Sequence, residues 1–193
     1  MSFTANKSIS TRLTLGFGSV LILLIAVAAV GQISAKAVQQ RMQEITGVNA
    51  TKTKLANGML ASVNALGIQS RSVVMLDAVD PARSKEQNNQ LNESLKLYTA
   101  QEKELSALVQ SGDTNAAEQA LMQEIEAIAK KTGPELQQAA TQSLDGDAVA
   151  ANMTLMVRAN PGELAWNKKL AGMVELQYAR SQDATQLAVK TQS

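Results

Sequence analysis

The sequence predicts an all-α protein: an antiparallel up-down-up-down four-helix bundle preceded by one transmembrane helix. Three observations predict it. The 193 residues are dominated by Ala, Gln, Leu, Met and Ser, with only three prolines and 3% aromatic residues. These are mostly good helix formers, whereas the aromatic and β-branched residues that favour strands are thin. Residues 13–35, "LTLGFGSVLILLIAVAAVGQISA", carry no charge and lie between Arg12 and Lys36. Beyond them, apolar residues recur at the three-to-four spacing of helices that bury one face.

The elements follow in chain order. Residues 1–12 read as a short N-terminal segment with Lys7 and Arg12 as its basic groups. Residues 13–35 are long enough to cross a bilayer, which takes roughly 20 mostly apolar residues. A cleaved signal peptide is the rival reading, since Ala26-Val27-Ala28 resembles a small-residue cleavage site. The apolar run exceeds the roughly 7–15 residues of a signal core, which favours the anchor. Basic residues flank the run on both sides, so the positive-inside rule leaves its orientation open. Residues 55–76 are also long, but Asn57, Ser62, Asn64, Gln69, Ser70, Arg71 and Ser72 make them too polar for lipid.

Residues 36–193 form the expected domain beyond the anchor, with helices over 36–79, 81–111, 113–144 and 147–191. Asp80-Pro81 offers an N-cap followed by a proline at the first helical position. Gly112-Asp113 and Gly146-Asp147 each supply a left-handed stop and a new cap. The segments "GDTNAAEQAL" and "GDAVAANMTL" share the pattern G-D-x-x-A-A-x-x-x-L, read as two helix starts made the same way rather than a repeat array. Four stripes call for partner helices: Met59, Val63, Leu66, Ser70, Val73; Leu91, Leu95, Tyr98, Glu102, Leu105, Val109; Ala117, Leu121, Ile125, Ile128; and Leu155, Ala159, Gly162, Trp166, Leu170, Met173. Short connections between them make neighbours antiparallel. Gly133-Pro134 and Asn160-Pro161-Gly162 strain this scheme, because an interior proline kinks or ends a helix. Asn160, Pro161 and Glu163 resemble a fresh N-cap, so six shorter helices are the alternative.

Composition excludes several functions. The chain has no Cys and no His, which removes thiol nucleophiles, imidazole acid–base chemistry and most zinc sites. Its net charge of +1 gives no electrostatic case for nucleic acid. No phosphate loop, metal-ligand cluster or nucleophile motif occurs, so neither an enzyme nor a cofactor is expected. Glu102, Glu104, Glu118, Glu124 and Glu126 scatter over helix faces without forming a catalytic pair.

The basic N-terminus with "STRLTLGFGSVLILLIAVAA", the long helix, the Asp-Pro turn and the late Gly-Asp-x-x-Ala-Ala helix start resemble the sensor region of bacterial chemoreceptors, the methyl-accepting chemotaxis proteins. The resemblance covers nearly the whole chain. It implies a short cytoplasmic N-terminus over residues 1–12, an inner-membrane anchor, a periplasmic bundle over residues 36–193, a homodimer and a small-molecule ligand sensed for chemotaxis. Family members continue with a second span, a linker and a cytoplasmic signalling coiled coil. The sequence stops at Ser193 without these, so a fragment of a longer receptor is expected.

Two arginines stand in charge-poor surroundings. Arg71 lies about nine residues before Asp80, and Arg158 about eleven after Asp147, which puts both roughly 14–17 Å from the same end of a bundle. A guanidinium offers a planar fork of donors that matches a carboxylate. The expected ligand is therefore a small organic acid, such as a di- or tricarboxylate, or an amino acid. Asn64, Gln69, Ser70, Asn152 and Thr154 are the expected polar helpers. The bland alternative is that both arginines lie on a solvated face, with Arg158 paired to Glu135 or Glu163. Two other functions compete: a membrane-anchored module docking a ligand-loaded periplasmic protein through residues 78–85 and 143–150, and a purely structural coiled coil. Tyr98 and Trp166 are expected in the core or a dimer seam.

Overall fold

The computed structural model describes the backbone over residues 9–111 and 116–192, and side chains from residue 16 onward except 33–35, 37–38, 40–46, 112–115, 184–185 and those after 186. The Gly112-Asp113 turn and the N-terminal basic residues Lys7 and Arg12 therefore lie outside the described side chains. Every element among the described residues is helical. They are α1 (Ile9–Leu76), α2 (Pro81–Gln110), α3 (Ala116–Leu144), α4 (Ala148–Met153), a π-helical stretch (Thr154–Ala159) and α5 (Asn160–Gln192).

The turns are built as their residues dictate. The Asp80 carboxylate accepts from the backbone N–H of Arg83 at 3.1 Å, with Pro81 beginning α2. The Ser84 hydroxyl donates to the Val73 carbonyl at 3.1 Å and ties the first turn of α2 to the last of α1. After α3, Gly146 takes φ +86°, the one positive φ among the described residues. Asp147 N–H donates to Gln142 C=O and Gly146 N–H to Ser143 C=O, at 2.9 and 2.8 Å. This paired pattern satisfies the carbonyls left free at a helix end, and its left-handed residue favours glycine. Asp147 then caps α4 by accepting from Ala150 N–H at 2.9 Å.

The two prolines have different outcomes. α3 runs through Pro134 without interruption, and Pro134 is exposed, so the carbonyl deprived of a helical donor can reach water. At Pro161 the chain widens instead: Asn160 N–H donates to Leu155 C=O, a five-residue step. The wider turn makes room ahead of the proline ring, a usual role of π-helical insertions.

One apolar core joins these elements. Met59, Val63, Leu66 and Val73 come from α1, and Leu91, Tyr98, Leu105 and Val109 from α2. Met122, Ile125 and Leu136 come from α3, and Leu155, Ala159, Trp166, Leu170 and Met173 from the π-helical stretch and α5. Polar pairs tie neighbours together at several levels. Ser62 bonds Gln101 between α1 and α2, and Gln137 bonds Asn92 and Ser106 bonds Glu126 between α2 and α3. Lys169 pairs with Glu124 between α5 and α3.

The third predicted stripe holds in part. Ile125 is buried as expected and Leu121 and Ile128 pack half-buried against the core, but Ala117 is exposed, and Glu118, Met122, Thr132 and Leu136 also face inward. Gly47–Leu76 is long and apolar enough to cross a membrane by length and composition, against the expectation that its amides exclude it. Its Met59, Val63, Leu66 and Val73 are nevertheless buried in the core. Gly16–Gln32 is a shorter apolar helical stretch; among the described residues, its Phe17, Leu21, Ile22, Leu24, Ile25, Val27 and Val30 are all exposed.

Candidate functional site

Arg71 projects from the last turns of α1 toward the first turn of α5. Its Nη1 donates to Glu163 Oε1 at 3.2 Å, and its Nη2 donates to Glu163 Oε2 at 2.7 Å. Nη2 also donates to the Asn160 side-chain oxygen at 3.0 Å. The arginine side chain is 37% exposed and that of Glu163 only 9%, so the pair lies at the edge of the core with the carboxylate the more buried member. Gly67, one turn before Arg71, permits this approach: a Cβ there would collide with the Glu163 carboxylate and the Arg71 guanidinium. A two-pronged arginine–carboxylate pair is among the stronger polar contacts and fixes orientation as well as distance.

The other sequence-selected residues divide. Ser70 is buried and its hydroxyl donates to Gly67 C=O at 3.2 Å. Gln69 is half-buried with its Oε1 shielded and unpartnered. Thr154 is buried in the π-helical stretch. Asn64, Asn152 and Arg158 are exposed, and Asn152 bonds its own helix at Ala148 C=O. The structure thus brings Arg71 to Asn160 and Glu163, and Arg158 forms no ion pair among the described residues. The sequence pattern Asn-Pro-x-Glu, read as a helix cap, is where those partners could have been found.

Two further polar clusters cross the core. Glu118 is fully buried; it accepts from Lys52 Nζ and Gln177 Nε2, each at 2.7 Å, and pairs with Arg180. Higher up, Trp166 Nε1 donates to the Tyr98 hydroxyl at 3.0 Å, and that hydroxyl donates to Glu102 Oε1 at 2.8 Å. The chain of bonds ends in a cleft of about 460 Å³ lined by Tyr98, Glu102, Glu126, Lys130, Pro134 and Trp166. Burial pushes the Tyr98 hydroxyl far above its ordinary pKa, with the Glu102 charge adding to it. Burial also raises Glu102 above its ordinary 4.5, and the Glu126 charge adds to this, against the lowering effect of the Tyr98 hydrogen bond.

The Glu102 shift has a definite sign. A carboxyl whose pKa is higher folded than unfolded binds its proton more tightly in the folded state. Its contribution to stability is full below the unfolded pKa and is lost as pH rises through the folded one. Glu102→Gln keeps an acceptor for Tyr98 without the charge. The variant is expected to melt above the native chain at neutral pH, with the gap closing as pH falls toward about 4.5. Melting curves across that interval, followed by circular dichroism, check this.

No protein family, no curated protein and no solved structure matches the chain.

Proposed function

We propose that this chain is the sensor region of a bacterial chemoreceptor, anchored in the inner membrane by residues 13–35 and binding a small organic acid in the periplasm. The observation that carries the reading is the Arg71 fork, which already holds a carboxylate in two-pronged geometry at the partly open edge of an apolar helix. An external di- or tricarboxylate, or an amino acid, presents the same group. Arg158, exposed and outside any ion pair among the described residues, is the second candidate cation.

The polar pairs between neighbours support an up-down-up-down bundle. Partner numbers fall on α1 as they rise on α2, and the same holds for α2 with α3 and α3 with α5. The π-helical stretch and α4 then extend α5 into a fourth rod. The exposed apolar side chains of Gly16–Gln32 support the anchor. The protein acts as a homodimer and catalyses no reaction. Binding shifts helix positions only if the ligand prefers one arrangement over another.

The test is thermal melting of the full chain in detergent against a panel of organic acids and amino acids. A ligand at about 100 times its dissociation constant adds ~2.7 kcal/mol of stability. The shift is expected in the native chain and is expected to disappear in Arg71→Ala, with Arg158→Ala tested beside it.

A second reading has its own observation. Val79 and Val149 are 82% and 77% exposed at the two turns distal to the proposed membrane. Such side chains suit docking of a ligand-loaded periplasmic protein. A silent screen on a folded chain favours that reading.

A further inference from the structure

We propose that Asn160 and Glu163 are built-in occupants of the Arg71 guanidinium, which an incoming carboxylate must displace. This rests on the reading of Arg71 as the acid-binding residue. A guanidinium has two edges that can take a carboxylate in two-pronged fashion, one across Nη1 and Nη2 and one across Nη2 and Nε. Glu163 spans the first, at 3.2 and 2.7 Å. Nη2 has only two protons, and its second goes to the Asn160 oxygen at 3.0 Å, which blocks the other edge. Neither edge is free for a ligand while both residues stay in place.

Both occupants lie in the first turn of α5, directly after the π-helical stretch, whereas Arg71 belongs to α1. Gly67 leaves the gap that lets the Glu163 carboxylate lie across α1. Displacement therefore removes this polar tie between the start of α5 and α1, while their apolar packing remains. The native chain is in effect inhibited by its own carboxylate. The apparent affinity for an external acid falls by the fraction of molecules in which the fork is free.

The test titrates benzoate, succinate and citrate into the full chain in detergent and reads dissociation constants by calorimetry. The variants are Glu163→Gln, Glu163→Ala and Arg71→Ala/Glu163→Ala. Glu163→Gln keeps the packing while removing the charge, which keeps the test open if the alanine variant folds poorly. With a free state populated at about 1–10%, removing the occupant tightens binding by about 10–100-fold. The expected result is tighter binding in both single variants and none in the double variant. Binding by the single variants but not by the native chain also supports the internal occupant, and counts against the native chain as a receptor for these probes. Equal affinity in native and single variants overturns the proposal and leaves acid binding standing. No binding in any variant overturns it together with the acid-binding reading of Arg71.

Discussion

Glu118→Ala is expected to destabilise the fold by about 3–5 kcal/mol, the range for removing one member of a buried ion pair. Glu118 has no solvent-exposed surface, and Lys52 beside it is 2% exposed. Glu118 accepts from Lys52 and Gln177 and pairs with Arg180, so it joins α1, α3 and α5 at one level. Alanine removes the compensating charge and leaves an ammonium group in the core. The Arg180 side chain is 21% exposed, so it has a path to water that Lys52 lacks. The cost is thus set by Lys52. Replacing both members with apolar side chains of similar volume is often neutral or stabilising. Lys52→Met/Glu118→Leu should therefore recover most of the loss. Urea unfolding followed by the fluorescence of Trp166, the single tryptophan, measures both variants.

The second large effect is expected at Trp166. Its ring is fully buried and meets Tyr98 edge to face, with centroids 4.6 Å apart and planes at 76°. Truncating a buried tryptophan to alanine costs about 3–5 kcal/mol, from lost transfer energy and from the cavity left behind. Trp166→Ala also removes the N–H that the Tyr98 hydroxyl accepts, in the interior of the protein. Trp166→Phe keeps an aromatic ring but loses that donor and part of the indole. Its expected loss is smaller, about 1–3 kcal/mol, from the unpaired Tyr98 hydroxyl and a smaller cavity. Since both variants lack the fluorophore, helical circular dichroism during urea unfolding is the readout.

Much of the fold was legible because local chemistry and burial agree over long stretches. Asp80-Pro81 and Gly146-Asp147 form the turns their residues suit, and the apolar residues of the first, second and fourth stripes line the core. The third stripe was read correctly at Ile125 but off by one at its start, where Glu118 and Met122 rather than Ala117 and Leu121 are buried, because Glu118 reads as a surface charge. Only its partners on α1 and α5, 66 and 62 residues away in sequence, make its burial tolerable. Pro161 signals a break, yet the structure absorbs it in a wider helical turn. The choice between a break and a wider turn depends on packing that a periodicity does not contain.

The candidate site was half legible. An arginine in a charge-poor helix stands out, and Arg71 does occupy a partly open, carboxylate-holding position. Its partners could not be read from spacing, because Asn160 and Glu163 lie 89 and 92 residues further along the chain. As a local pattern those two residues spell a helix cap. Contact with Arg71 gives them another task, and only the packing of α1 on α5 reveals it.

The proposed seat for external carboxylates is the Arg71 guanidinium. The most direct measurement is nitrogen NMR of the arginine side chains in the full chain while succinate is added. The Arg71 guanidinium signals, assigned by their loss in Arg71→Lys, are expected to move saturably and lose the signature of the Glu163 pair. Arg71 signals that stay fixed while succinate binds elsewhere would contradict it.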